Sequence, residues 1–291
     1  MRLLIIDSPM NYRHIYHAGN VCDVAKHAVL TLVLRHLREK SKGFQVLDTH
    51  AGTGLYDLTD TEAQKTNEAA SGIMNLLASP AIPAMADYYD VLKQQNPFWD
   101  KGSAEGFRVY PGSPLFIYHM LRPQDKVIAC ELHPDDAQAL RLHAPVDGRM
   151  ATHCRDGYEA LGAFLPPPER RGLVLIDPPY EAPDEFATLM KNIAEAYKRW
   201  NTGIYMIWYP IKDRPAIWKF HEALSKAGIP KILCAEFIYD EDVTADRLSG
   251  SGMIIINPPW KLEQEISALF PALHAAMKTT HRESTIKWLA E

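Results

Sequence analysis

Phe44-Gln45-Val46-Leu47-Asp48-Thr49-His50-Ala51-Gly52-Thr53-Gly54 is the stretch whose reading decides the fold. A short apolar run closes on an acid and passes into a glycine turn, which reads as a strand from Phe44 to Asp48 leaving a sheet. The glycines let backbone amides come close to a ligand there. Upstream, Val24, Ala28, Leu32, Val33 and Leu37 recur at three- and four-residue steps between Asp23 and Glu39, which predicts an amphipathic helix. Further strands are expected at Lys126–Glu131, Ala151–His153, Leu173–Asp177, Gly203–Tyr209, Lys231–Ile238 and Gly252–Asn257, with helix-like stretches between most of them. Strands separated by helices pair in parallel, so the expectation is an α/β fold, a doubly wound and mostly parallel sheet of seven strands. Only a polar connection, Asp240 to Gly252, joins the last two strands, so the final strand is expected to return antiparallel. Residues 55–110 break the rhythm with Pro80, Pro83 and Pro97, and are read as a small helical insertion after the first strand.

The chain has 291 residues, 47% hydrophobic and 23% charged, enough to bury a sizeable core without staples. No apolar run approaches the roughly 20 residues of a membrane span, and Leu3-Leu4-Ile5-Ile6 is cut short by Asp7, so a soluble cytoplasmic protein with no membrane partner is expected. Cys22, Cys130, Cys154 and Cys234 are scattered without metal-ligand spacing, so reduced, buried thiols and no metal are expected. A net charge of −5 argues against non-specific coating of nucleic acid, yet leaves room for a local basic face. Two stretches could supply one. Arg13–Lys42 holds six basic against two acidic residues, and Lys191–Lys231 holds eight against three.

Acids recur where chains leave the sheet: Asp48, Glu131, Asp156 and Asp177. In an open parallel sheet a ligand lies beyond these strand ends, and an acid ending the second strand is placed to hold ribose hydroxyls. No phosphate-loop lysine follows Gly54; Leu55-Tyr56-Asp57 stands there, with Asp57 lacking an evident countercharge. A nucleoside cofactor without phosphates fits this turn, and S-adenosylmethionine is such a molecule. Its amino-acid carboxylate would suit Lys26, and the turn at His50 and Gly52 would cradle it.

Asp177-Pro178-Pro179-Tyr180 follows the apolar strand Leu173-Val174-Leu175-Ile176. An adenine exocyclic amine delocalises its lone pair into the ring and attacks a methyl sulfonium poorly. Two acceptors, the Asp177 carboxylate and the Pro178 carbonyl, would localise that lone pair toward the methyl carbon. The prolines stiffen the turn, and Tyr180 offers a face for an unstacked base. Asn257-Pro258-Pro259-Trp260 has the same form, but after an antiparallel strand it would face away from the crevice.

Tyr12-Arg13-His14, His17-Ala18-Gly19-Asn20, Lys26-His27, LDTHAGTG, YPGSP, ELHP, RDGY, LIDPPY, GIYMIWYP and SGMIIINPPWKLE together resemble the RlmJ family of bacterial ribosomal RNA methyltransferases, from Met10 onward. The resemblance implies a Rossmann-like methyltransferase domain over 10–291, with 55–110 inserted within it and residues 1–9 an extension without assigned role. It implies methyl transfer from S-adenosylmethionine to N6 of adenine 2030 in 23S ribosomal RNA. Cofactor contacts would come from His27, His50, Ser113, Glu131, Asp156, Gly157 and Asp177, with RNA touched by Tyr12. Ser113, after Pro111-Gly112 and before Pro114, could equally cap a helix. A monomer is expected. The rival readings are a DNA adenine-N6 or protein glutamine-N5 methyltransferase, which share such turns, and a non-catalytic rRNA-binding assembly factor.

Overall fold

In the computed structural model, which describes residues 13–100, 103–244 and 247–291, strand β1 (Gln45–Asp48) lies at the middle of one large sheet. Tyr12 and residues 1–9 lie outside the described residues. Helix α1 (Val21–Arg38) precedes β1, and after the glycine turn come β2 (Leu55–Asp57), α2 (Thr61–Thr66), α3 (Ile73–Leu77), α4 (Ala86–Gln95) and β3 (Val109–Pro111). Helix α5 (Ser113–His119) leads back to the sheet. Then follow β4 (Lys126–Glu131), α6 (Pro134–His143), β5 (Met150–Cys154), α7 (Gly157–Phe164), β6 (Gly172–Ile176), α8 (Glu185–Arg199) and β7 (Ile204–Ile211). The chain closes with α9 (Arg214–Lys226), β8 (Ile232–Ile238), β9 (Gly250–Ile256), α10 (Leu262–Met277) and β10 (Glu283–Ala290).

Among the described residues the sheet has eight strands in the order β10-β8-β9-β7-β6-β1-β4-β5, while β2 and β3 form a separate two-stranded ribbon. β1 pairs in parallel with β4 and β6, β4 with β5, and β6 with β7. β9 inserts antiparallel between β7 and β8, as the polar connection predicts. The expected count of seven is corrected to eight, and the last strand is β10, antiparallel to β8 at the sheet edge. It escaped a search for apolar runs because an edge strand carries polar and charged residues; Glu283, Lys287 and Trp288 are exposed.

Register fixes where the acids fall. Asp48 stands beside Ala129 of β4 and Leu175 of β6, so Glu131 and Asp177 each reach two residues past it. Cys154 of β5 pairs with Glu131, which places Asp156 just beyond. Four carboxylates therefore crown the same edge. At the opposite end, Ile256 of β9 lies beside Tyr205, the start of β7. The turn after it is there structural: Asn257 Nδ2 donates to the carbonyls of Asn201 (2.9 Å) and Gly203 (2.7 Å).

Two apolar cores sandwich the sheet, one with α1, α3, α4, α5 and α10, the other with α7, α8 and α9. Helix α1 opens at Asn20, whose Oδ1 accepts from the Asp23 amide at 2.8 Å. The amphipathic reading of α1 needs correction, because fifteen of its eighteen residues are buried, Asp23, Lys26 and His27 among them. Its polar stripe covers a site instead of meeting solvent. Of the cysteines, Cys22, Cys130 and Cys234 are buried free thiols, whereas Cys154 is exposed.

Candidate active site

Beyond the carboxyl ends of β1, β4, β5 and β6 lies a cleft open to solvent, placed where an open parallel sheet binds its ligand. Lys26, His27, His50, Gly52, Ser113, Glu131, Asp156, Gly157 and Asp177 all line it. The turn after β1 is held down by Glu131, whose Oε2 accepts from the Gly52 amide (2.9 Å) and whose Oε1 accepts from the His133 amide (2.8 Å). Burial nevertheless pushes the Glu131 carboxyl up. Gly52 has φ +58°, and a Cβ there would lie 2.1 Å from the Tyr56 hydroxyl oxygen. A Cβ at Gly157 would lie 2.4 Å from the Thr49 carbonyl, so these glycines let the β1 turn and the start of α7 close on one another.

Asp156 caps α7: its Oδ1 accepts from the amides of Tyr158 (2.8 Å) and Glu159 (2.9 Å). The same residue lines the cleft. Ser113 does not cap α5. It is the helix's first residue, Gly112 takes the capping position, and the Ser113 hydroxyl donates to Asp48 Oδ2 at 2.7 Å. Asp48 is fully buried with Oδ1 unpartnered, and burial raises its pKa to about 7, with Asp177's charge adding to the effect.

Two of the histidines that line the cleft, His27 and His50, are held neutral. Burial pushes His50 down to about 4 and takes His27 well below its usual range, Lys26 adding to the latter. Thr49 Oγ1 donates to the Leu175 carbonyl (3.0 Å), so toward His50 Nδ1, 2.8 Å away, it accepts; that fixes the tautomer and leaves Nε2 an acceptor. His27 bonds through Nδ1 to Tyr110 Oη (2.9 Å), stacks on Phe116, and keeps a buried Nε2 without a partner.

Lys26, expected to meet a cofactor carboxylate, is engaged by two carboxylates of the chain itself: Asp177 Oδ2 at 2.5 Å and Asp23 Oδ1 at 2.9 Å. Asp23 in turn meets His14 Nε2 at 2.9 Å. Burial disfavours each charge, but the partners outweigh it: Lys26 is raised well above its usual range, and His14 and Lys26 bring Asp23 well below its own. His14, Asp23 and Lys26 thus form a connected polar chain ending on the diproline turn. In the sequence His14 and Asp23 stood only as motif and helix-start residues with no place in the site, although Asp23 and Lys26, a polar pair three apart on an otherwise apolar helix, were a legible sign.

On the far side of Lys26 and Asp177 a second hollow opens, lined by Pro178, Tyr180, Trp208 and Lys212. His14, Lys26, Asp177 and Pro179 border both hollows and form the wall between them. Tyr180 sits at φ +53°, its hydroxyl donates to the Trp208 carbonyl (2.6 Å), and Phe186 and Trp208 flank the ring. The ring is a fixed wall, not a swinging side chain.

Two sequence arguments change. Asp57 does have a countercharge, Arg108, at 2.6 and 2.9 Å on the β2–β3 ribbon, so its presence says nothing against phosphate. The cleft itself says more: Glu131, Asp136, Asp156, Asp177 and Glu185 line it against one lysine, a field suited to a cation and hostile to a polyphosphate. Away from the cleft, folding joins Cys234, His221, Glu236 and Tyr209 in a buried hydrogen-bonded cluster that chain spacing did not reveal.

A doubly wound sheet with an acid-crowned cleft and a diproline turn at the end of its fourth parallel strand defines the Rossmann-like methyltransferase class. A profile described as "Ribosomal RNA large subunit methyltransferase D, RlmJ" matches residues 41–290. The chain is 42% identical over 284 residues to "Ribosomal RNA large subunit methyltransferase J" of Escherichia coli K12, covering 96% of this chain and 99% of that protein. The protein of the same name from Haemophilus influenzae is 42% identical over 283 residues, covering 97% and 98%. The crystal structure of protein LPL1258 from Legionella pneumophila superposes with a TM-score of 0.84 at 34% identity, covering 93% of this chain and 98% of that one. The chain belongs to the RlmJ family of large-subunit ribosomal RNA methyltransferases.

Proposed function

We propose that this chain transfers the methyl group of S-adenosylmethionine to N6 of one adenine of 23S ribosomal RNA, at the position corresponding to adenine 2030. The observation that carries the reading is the shared wall: Asp177 and Lys26 stand between a larger acidic cleft and a smaller aromatic hollow. The cleft fits the cofactor through the unpartnered His27 Nε2, the Gly52 turn that a Cβ would fill, and a surplus of carboxylates around a cationic sulfur. Lys26, His27, His50, Gly52, Ser113, Glu131, Asp156, Gly157 and Asp177 would hold it. When bound, it supplies an electrophilic methyl carbon.

The residues of the chain do the rest. The target adenine leaves its stack and enters the hollow against the immobile Tyr180 ring. Its two N6–H groups donate to Asp177 Oδ1 and to the Pro178 carbonyl. Lys26 holds the other Asp177 oxygen and, being kept protonated, fixes the carboxylate's orientation without acting as a base. Once the nitrogen has become cationic, its surplus proton leaves readily. The role expected of Tyr12 toward RNA and the insertion at 55–110 belong to the same reading, as does a cytoplasmic location; among the described residues no helix is long and apolar enough to cross a membrane.

The test is incubation of the protein with radiolabelled S-adenosylmethionine and 23S rRNA from a strain lacking the enzyme, followed by nucleoside mass spectrometry. N6-methyladenosine at a single site is expected. A different methylated nucleoside, or label on protein alone, overturns the assignment.

A further inference from the structure

Of the two basic stretches in the sequence, folding pairs most of the first with carboxylates, and in the second pairs Arg214 with Glu236 and Lys226 with Glu222 while leaving Lys212 and Lys219 to solvent. In the first, Arg13 pairs with Glu62, Arg35 and Arg38 share Asp87, and Lys26 is buried between Asp23 and Asp177. Lys40 and Lys42 stay exposed, but they precede β1 and so stand at the amino edge of the sheet, away from the cleft. The second stretch includes α9, which starts just after the carboxyl end of β7, on the active-site edge. Its inner face buries Ile217, Phe220, His221 and Leu224 in the core. Its outer face presents Trp218, 64% exposed, and Lys219 beside it. Lys212, immediately before the helix, lines the hollow formed by Pro178, Tyr180 and Trp208. Among the described residues no ion pair engages Lys212 or Lys219.

We propose that Lys212, Trp218 and Lys219 form a track for single-stranded RNA running from the mouth of the Tyr180 hollow onto the outer face of α9. Trp260 is exposed too, but Trp218 has unpaired lysines near it, and aromatic faces set among basic side chains are how backbone phosphates and splayed bases are held. At 1.5 Å per helical residue, Trp218 and Lys219 lie about 6–8 Å along the axis from Arg214, which follows Lys212 by two residues. The lysines take phosphates flanking the target, and Trp218 stacks on a neighbouring base that is unpaired when the target adenine is everted. Protein partners would not need the lysine at the pocket mouth. The inference rests on the proposed rRNA substrate and adds where that RNA lies.

The test measures binding of a 23S rRNA fragment containing the target by filter retention across a salt series, alongside S-adenosylmethionine affinity by calorimetry. Lys212→Glu/Lys219→Glu should lower the slope of log K against log salt by about 1.4, since each lysine on a single strand contributes about 0.7. Trp218→Ala should weaken RNA about tenfold and Trp218→Phe should restore it, because only stacking needs the aromatic face. Cofactor affinity should not change in any of them, and Lys40→Glu/Lys42→Glu should bind RNA as the parent does. Unaltered RNA binding in the α9 variants, equal damage from the Lys40/Lys42 pair, or no RNA binding by the parent overturns the proposal. If the parent methylates RNA while the α9 variants match it, the track alone fails. If the α9 variants lose RNA binding but the parent transfers no methyl group, the methyl-transfer reading fails and the track stands.

Discussion

Lys26 Nζ lies 2.5 Å from Asp177 Oδ2, tying the middle of α1 to the end of β6 across 151 residues of sequence. Both side chains are largely withdrawn from water, and Asp23 completes the cluster. Such a group is expensive to break from one side. Lys26→Met leaves Asp177 without its partner and should lower unfolding free energy by about 3–5 kcal/mol. Urea denaturation checks this; a loss below about 1 kcal/mol would mean the pair is solvated in solution.

Asp177→Ala should remove turnover while the far-ultraviolet circular dichroism stays that of the parent. Losing one oriented acceptor at a reacting amine is worth about a hundredfold to a thousandfold in rate. Single-turnover transfer to rRNA is the measurement, and a rate within threefold of the parent would remove Asp177 from the chemistry.

Asp48 makes stability depend on pH. Burial, assisted by Asp177's charge, raises its carboxyl from 3.8 to about 7 in the folded protein. Between those values the native state holds a proton that the unfolded chain has released, so this group's contribution is fully present below about 4 and is lost as pH rises through about 7. Asp48→Asn does not titrate. Its stability relative to the parent should therefore climb between pH 4 and pH 8, by up to about 4 kcal/mol in the limit of the full shift. A difference independent of pH would show that Asp48 ionises normally.

Gly52→Ala puts a methyl group at φ +58° against the Tyr56 hydroxyl. Cofactor affinity should fall by about tenfold or more, with a left-handed strain of about 1–2 kcal/mol. Adding Tyr56→Phe removes the obstructing oxygen and should recover part of the affinity. Calorimetric titration with S-adenosylmethionine distinguishes the two.

Asn257→Ala tests the assignment of the second diproline turn to structure. The amide loses two carbonyl partners at a left-handed position, for a stability loss of about 1–3 kcal/mol. Turnover per folded molecule should be unchanged; its loss in a stably folded variant would move this turn into the site.

The central strands were legible because buried parallel strands are continuous apolar runs, and β1 and β6 each end in an acid before a glycine or proline turn. All nine expected cofactor residues therefore line one cleft. The edge was not legible: β10 buries none of its residues fully and shows no regular alternation, and β2 and β3 are three residues each. Nor could spacing reveal that Lys26 faces Asp177, or that Cys234 meets His221 and Glu236, since both depend on packing between distant segments. Ser113 misled because Gly112 holds the extended capping conformation, which frees the serine hydroxyl for Asp48. Tyr12 lies outside the described residues.

Helix α1 is surrounded on nearly every side, and its covering partners include β9 and α10, among the last elements to be synthesised. A nascent chain must therefore carry an apolar cylinder without its shelter until the carboxyl-terminal third has emerged, the situation in which chaperones engage and truncated products aggregate. The same wrapping means that proteolytic trimming from the far terminus would loosen the helix that holds Lys26, so damage remote from the cleft would extinguish catalysis before it dissolved the sheet.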